Sequence, residues 1–153
     1  MKTPELKIPP PLVALVFSAG MWMLAAAPPL LQVPTLIRVF LAAVIAVVGV
    51  AIALTGVFSF RRVKTTVNPM KPRSASSLVT SGVYRVTRNP MYLGLLLVLI
   101  GWAVYLSSAW ALLGVVGFVF YITRFQIQPE EQALAALFSA EYSAYKTRVR
   151  RWL

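Results

Sequence analysis

The chain of 153 residues is 59% hydrophobic and 12% charged, with 15 Lys and Arg against 4 Asp and Glu and a formal net charge of +11. A water-soluble globule carries about 25% charged residues, so these few polar groups, at a mean hydropathy of +0.75, exclude that class in favour of a multispanning membrane protein with its charges in the loops. The absence of Cys and His further removes disulfides, thiol nucleophiles, thiolate or imidazole metal sites and histidine acid–base catalysis.

Three charge-free runs, 8–37, 39–60 and 89–123, set the predicted elements, because a span needs about 20 apolar residues. The first holds a span within 8–31, its helix running from Pro11 to Ala27 and stopped by Pro28-Pro29. No small-residue cleavage site follows it at the usual distance, so it reads as an anchor and not as a removable signal. The second run is a single span over 39–60. Residues 61–90 read as a loop, with Pro69, Pro72 and Pro90, a patch of Ser74, Ser76 and Ser77, and the turn signal Thr80-Ser81-Gly82. As one helix the third run would be roughly 52 Å long, well beyond a ~30 Å hydrocarbon core. Ser107 and Ser108, between Tyr105 and Trp110, therefore predict a tight hairpin of two spans, 91–106 and 109–124. Pro129 opens an amphipathic tail helix over 129–149, on which Leu134, Phe138, Tyr142, Tyr145 and Val149 form one apolar face.

The expected fold class is thus an all-α integral membrane domain over 1–153, with about four transmembrane helices and a C-terminal amphipathic helix. Four spans put every Lys and Arg except Arg38, and all the acids, on one side. The positive-inside rule makes that side, with both termini, cytoplasmic. Gly49 and Gly56 share one helix face, as do Gly94 and Gly101, a pattern that permits close helix packing. The spans carry no ionisable residue at mid-depth, which argues against an ion or proton route. The basic loop lacks the interleaved aromatics of a nucleic-acid site, and no glycine-rich phosphate loop is present. Its cations suit topology and anionic lipid instead.

Two polar clusters remain. Glu130-Glu131 opens the tail helix, where carboxylates either complement the helix dipole or form a site for a cation or ribose hydroxyls. The stretch Ser81 to Gly94 runs straight into a span, with Asn89 as N-cap and Pro90 in the first turn. An ordinary capped helix explains Asn89, Pro90 and Tyr92. It does not explain Tyr84, Arg85 and Arg88 crowding the same end.

Leu78-Val79-Thr80-Ser81-Gly82-Val83-Tyr84, followed by Arg88-Asn89-Pro90-Met91-Tyr92-x-Gly94, resembles the cofactor signature of the isoprenylcysteine carboxyl methyltransferase family. Glu130-Glu131-x-x-Leu134, Phe138 and Glu141-Tyr142-x-x-Tyr145-Lys146-x-Arg148-Val149 resemble that family's tail. The resemblance implies a membrane enzyme that binds S-adenosyl-L-methionine at the cytoplasmic face. Carried over residue by residue, it implies cofactor contacts from Leu78, Val79, Tyr84, Asn89, Pro90, Met91, Tyr92, Glu130 and Glu131. Arg124 is the nearest match to a family arginine that follows the last span and binds acceptor. Asn89 stands where the family has His, and Asn-Pro-Met-Tyr is similar to the phospholipid N-methyltransferases.

Methyl transfer from a sulfonium is an in-line displacement that needs alignment and a suitable cavity, not a metal or covalent nucleophile. A carboxylate acceptor is ionised at neutral pH and needs no base, so a chain without His tilts towards carboxyl O-methylation. Arg88 or Arg124 would hold that carboxylate by a bidentate contact. The expected partners are a lipidic acceptor and membrane lipids, with neither nucleic acid nor metal. The alternatives are phospholipid or amine N-methylation, a reductase-like relative, and a non-catalytic scaffold of the same architecture.

Overall fold

A computed structural model describes residues 8–25, 33–62 and 77–153. The expected Pro28-Pro29 stop, Pro69, Pro72, Ser74, Ser76 and the charges within 1–7 lie outside the described residues. The described residues are helical throughout their regular structure: α1 (Pro10–Leu24), α2 (Thr35–Arg62), α3 (Pro90–Leu106), α4 (Ala109–Ile122), α5 (Gln128–Leu137) and α6 (Ser139–Arg148). A 3-10 turn at Gly82–Arg85 precedes α3, and a π turn at Thr123–Ile127 joins α4 to α5.

Helix α2 starts before the charge-free run does, so Arg38 lies inside it and stacks its guanidinium 5.9 Å from the Tyr105 ring centroid. The run 89–123 folds as two helices. Ser107 closes α3 in the left-handed region at φ 52 and Ser108 is extended, which reverses the chain within two residues.

The tail departs from expectation in two ways. The helix does not stop at 124: it continues through the π turn to Leu137, a run of 29 residues. Pro129 removes one backbone donor and its ring crowds the carbonyl four residues back; the wider π turn just before it makes room. The single tail helix expected over 129–149 also bends at Phe138, which leaves helical geometry at φ −122, ψ 28. The Phe138 N–H still donates to the Leu134 carbonyl, and the Tyr142 N–H donates to the Phe138 carbonyl. The bend thus turns the axis without losing the ladder, and the apolar face expected from the spacing packs into one cluster.

Hydrocarbon gives helices no hydrophobic reason to associate, so small residues must let backbones approach. A Cβ on Gly49 would come 2.6 Å from the Gly94 carbonyl oxygen, and one on Gly101 would come 2.8 Å from that of Ala42. This seam sets α2 against α3. Met21 and Phe17 of α1 fill the hollows at Gly114 and Gly117 of α4, with Phe17 edge-on to Phe118 at 5.9 Å. Outside these seams Leu36, Phe40, Val47 and Phe120 are exposed, the surface a membrane-associated bundle presents to lipid. At one end of the bundle the Gln126 amide donates to the Ile8 carbonyl at 2.8 Å, and Gly56 meets Pro90. That end carries the polar clusters.

Candidate functional site

The chain approaches α3 through a turn that needs Gly82, whose φ of +62 strains any side chain. The 3-10 turn that follows drives the Tyr84 ring inward, edge-on to Phe60 of α2 at 5.4 Å. Leu78, Val79 and Val83 join Leu134, Phe138, Tyr142, Tyr145 and Val149 around it. The Tyr145 hydroxyl donates to the Tyr84 carbonyl at 2.7 Å, which closes the tail onto the loop. Burial, then the nearby charge of Glu130, holds the Tyr84 phenol well above its ordinary range. Burial and the Glu131 charge push Tyr142 up to about 12, against the pull of Arg88.

Adjacent residues on a helix point about 100° apart, so Glu130 and Glu131 reach different walls. Glu131 accepts from Arg151 at Nε (3.0 Å) and Nη2 (2.7 Å), a bidentate pair, and forms an ion pair with Arg88 Nη1 at 3.2 Å. Glu130 accepts a hydrogen bond from the Tyr92 hydroxyl at 3.1 Å and, among the described residues, pairs with no cation. Burial, reinforced by Glu131 and opposed by the Tyr92 bond, pushes the Glu130 carboxyl up to about 7. Two arginines thus serve one glutamate and none serves the other.

Asn89 occupies the N-cap position of α3, but its side chain makes no cap bond, contrary to expectation. Its amide donates instead to the Arg151 carbonyl at 2.9 Å, alongside the Thr87 hydroxyl at 3.3 Å, while the Arg88 N–H donates to the Arg150 carbonyl. A cap would use the amide oxygen as acceptor, whereas this bond uses the Nδ2 donor and gives the Arg151 carbonyl the shorter of its two hydrogen bonds. Residues 150–151 are thereby strapped across the start of α3.

The structure brings Leu78, Val79, Tyr84, Arg88, Asn89, Tyr92, Glu130 and Glu131 to this one end. Pro90 and Met91 stand at the same end, where both pack on Gly56 of α2. Arg124 is exposed on the π turn, where its Nη1 donates to Gln128 at 3.1 Å. Arg151 and Thr87 went unrecognised in the sequence. Arg151 stood in the run Arg148, Arg150, Arg151 that reads as topology-setting charge, and nothing in the run marks it out. The Nε of Arg88 is buried and has no hydrogen-bond partner among the described residues. Among the described residues no group of three or more His, Cys, Asp or Glu side chains lies together.

Residues 37–141 match the phospholipid methyltransferase family. An uncharacterized protein of Haemophilus influenzae is 49% identical over 63 residues, 41% of this chain and 100% of that protein. The protein-S-isoprenylcysteine O-methyltransferase of Saccharomyces cerevisiae is 39% identical over 82 residues, 52% of this chain and 33% of the yeast one. The similarity therefore spans about a third of that enzyme's length. No solved structure matches the chain.

Proposed function

Because the chain belongs to the phospholipid methyltransferase family, we propose that it transfers the methyl group of S-adenosyl-L-methionine to a carboxylate of a lipidic, prenylcysteine-like acceptor at the cytoplasmic face. In this reading α1 to α4 are four spans of one domain, both termini are cytoplasmic, and α5 and α6 lie on the membrane surface. The observation that carries it is the division of labour between the two acids. Glu131 is neutralised twice over, while among the described residues Glu130 pairs with no cation and the Arg88 Nε has no hydrogen-bond partner.

Such a donor and acceptor set suits a ligand with positive charge on one part and a carboxylate on another. When bound, the cofactor supplies a methyl group on a positively charged sulfur. Glu130 faces the positive charge and Tyr92 holds that carboxylate in place. The Arg88 Nε faces the ligand carboxylate. Tyr84, Leu78 and Val79 form an apolar wall that keeps water out. Asn89, unable to titrate near neutral pH, strengthens the site by holding the Arg151 carbonyl, and so the arginine that orients Glu131. With Arg88 engaged by Glu131, the exposed Arg124 is the better candidate to grip an acceptor carboxylate, which needs no base.

The similarity to an isoprenylcysteine O-methyltransferase favours the carboxylate acceptor. N-methylation is the second reading, and the Glu130 carboxyl near 7 favours it by offering a base to an ammonium acceptor. Membranes incubated with methyl-labelled cofactor separate the two. Label that mild alkali releases as volatile methanol is a methyl ester, and label that stays non-volatile after the same treatment is an N-methyl group. Calorimetry on protein in detergent tests the common premise: both the cofactor and its demethylated product bind, and Tyr92→Ala and Glu130→Ala each weaken binding. No binding by the parent protein removes the enzymatic reading.

A further inference from the structure

Along the middle of the bundle and towards its other end, a cavity of about 700 Å³ opens between α1 and α2 over a floor of α3 that runs from Leu95 to Tyr105. Its walls are small or apolar side chains, among them Ala14 and Ser18 on α1, Ala42 and Ala43 on α2, and Val98 and Trp102 on α3. Trp102 spends its only donor on the Ser18 carbonyl at 3.0 Å, so the trough presents hydrocarbon. Tyr105 closes the far end, and over its ring lies Arg38, the one cation that the proposed topology leaves on the non-cytoplasmic side. The Arg38 Nε is buried and, among the described residues, has no hydrogen-bond partner. The trough begins at Leu95, one turn of α3 beyond Tyr92, but its Arg38 end at Tyr105 lies about 20 Å along α3 from Tyr92, at 1.5 Å per residue, so the polar anchor is separate from the acid pair.

We propose that the trough and Arg38 form a binding site for an anionic glycerophospholipid of the non-cytoplasmic leaflet. One acyl chain lies between α1 and α2, and the phosphate meets the Arg38 guanidinium. An unpaired buried N–H requires an oxygen acceptor. At the mouth of a lipid-facing trough the abundant acceptors are phosphate and ester oxygens, and a guanidinium matches phosphate geometry. The cavity size falls in the range of small-ligand pockets, about 300–1,000 Å³. A trough made by absent side chains suits a single chain better than a second copy of the protein, whose helix is about 10 Å across. The inference rests on the four-span topology proposed above.

Native mass spectrometry of the detergent-purified protein, titrated with phosphatidylglycerol or phosphatidylcholine, tests it. The parent protein retains the anionic lipid about tenfold more tightly, the scale of one charge-assisted contact. Arg38→Gln abolishes that preference, whereas Ala43→Phe, which fills the trough, lowers retention of both lipids. Cofactor binding by calorimetry stays at the parent level in both variants. Equal affinity for the two lipids, an unchanged preference in Arg38→Gln, or a lipid-free dimer overturns the proposal. Because the chain has no Cys, Arg38→Cys and Arg85→Cys report topology independently through a membrane-impermeant maleimide on intact cells. Labelling at 38 but not at 85 supports the orientation, and the reverse sinks the topology and this site together, whatever the cofactor result.

Discussion

Replacing Glu130 with Gln separates what the carboxylate does for binding from what it does to the fold. The introduced amide keeps an oxygen for the Tyr92 hydroxyl but carries no charge. The carboxyl of Glu130 stands at about 7 against an ordinary 4.5, so between those two values the folded chain holds a proton that the unfolded chain has released. Folding stability therefore falls as pH rises through this window and levels off above it. At 1.36 kcal/mol per pH unit the loss amounts to about 3 kcal/mol. Glu130→Gln escapes the loss. Its advantage over the parent in thermal unfolding, in detergent and without ligand, is near zero at pH 4.5 and grows to several degrees by pH 8. The same variant loses cofactor affinity at pH 8. An advantage of equal size at both pH values, or none at pH 8, refutes the assignment of an uncompensated charge to Glu130.

Glu131→Ala should do the opposite, because it leaves Arg88 and Arg151 facing each other; a loss of roughly 3 kcal/mol appears as a lowered unfolding midpoint at pH 7. Asn89→Ala leaves the Arg151 carbonyl only the longer Thr87 bond, at a cost of about 1 kcal/mol, and limited proteolysis near the C-terminal segment should accelerate, whereas a side chain that only capped α3 would leave that segment protected. Gly49→Ala drives a methyl into the Gly94 carbonyl, and overpacking of about 1–3 kcal/mol shows as a lower midpoint with cofactor affinity per folded molecule retained.

The helices were legible because lipid-facing chain must be apolar and free of charge along its length, and α3 and α4 part at Ser107-Ser108, where two polar residues interrupt such a run. The tyrosine face of the tail was legible from spacing alone, since Leu134, Phe138, Tyr142, Tyr145 and Val149 recur at helical intervals. What spacing hides is direction. Glu130 and Glu131 are one residue apart and chemically identical, and only the backbone around them decides that one meets two arginines and the other a tyrosine. The side chain of Asn89 had a local use as a cap and a distant one at Arg151, and a sequence displays the local use alone. The π turn was equally hidden, because it answers to Pro129 and to the burial of Gln126 and Ile127 rather than to any residue preference.

That turn decides which way the acid pair faces in a way substitution scans would not reveal. A π turn holds one residue more than the α-helical register needs. Deleting a residue within 123–127 would restore a straight helix in the same register, but winding the same five residues as ordinary α-helix would carry everything beyond them round by about 100°, the angle that separates Glu130 from Glu131. The glutamate now facing the arginines would swing off them with every side chain intact. The two acids owe their different duties to a reading frame in the helix, kept by a five-residue segment whose hydrogen bonds and ion pairs, among the described residues, reach neither Arg88, Arg151 nor Tyr92.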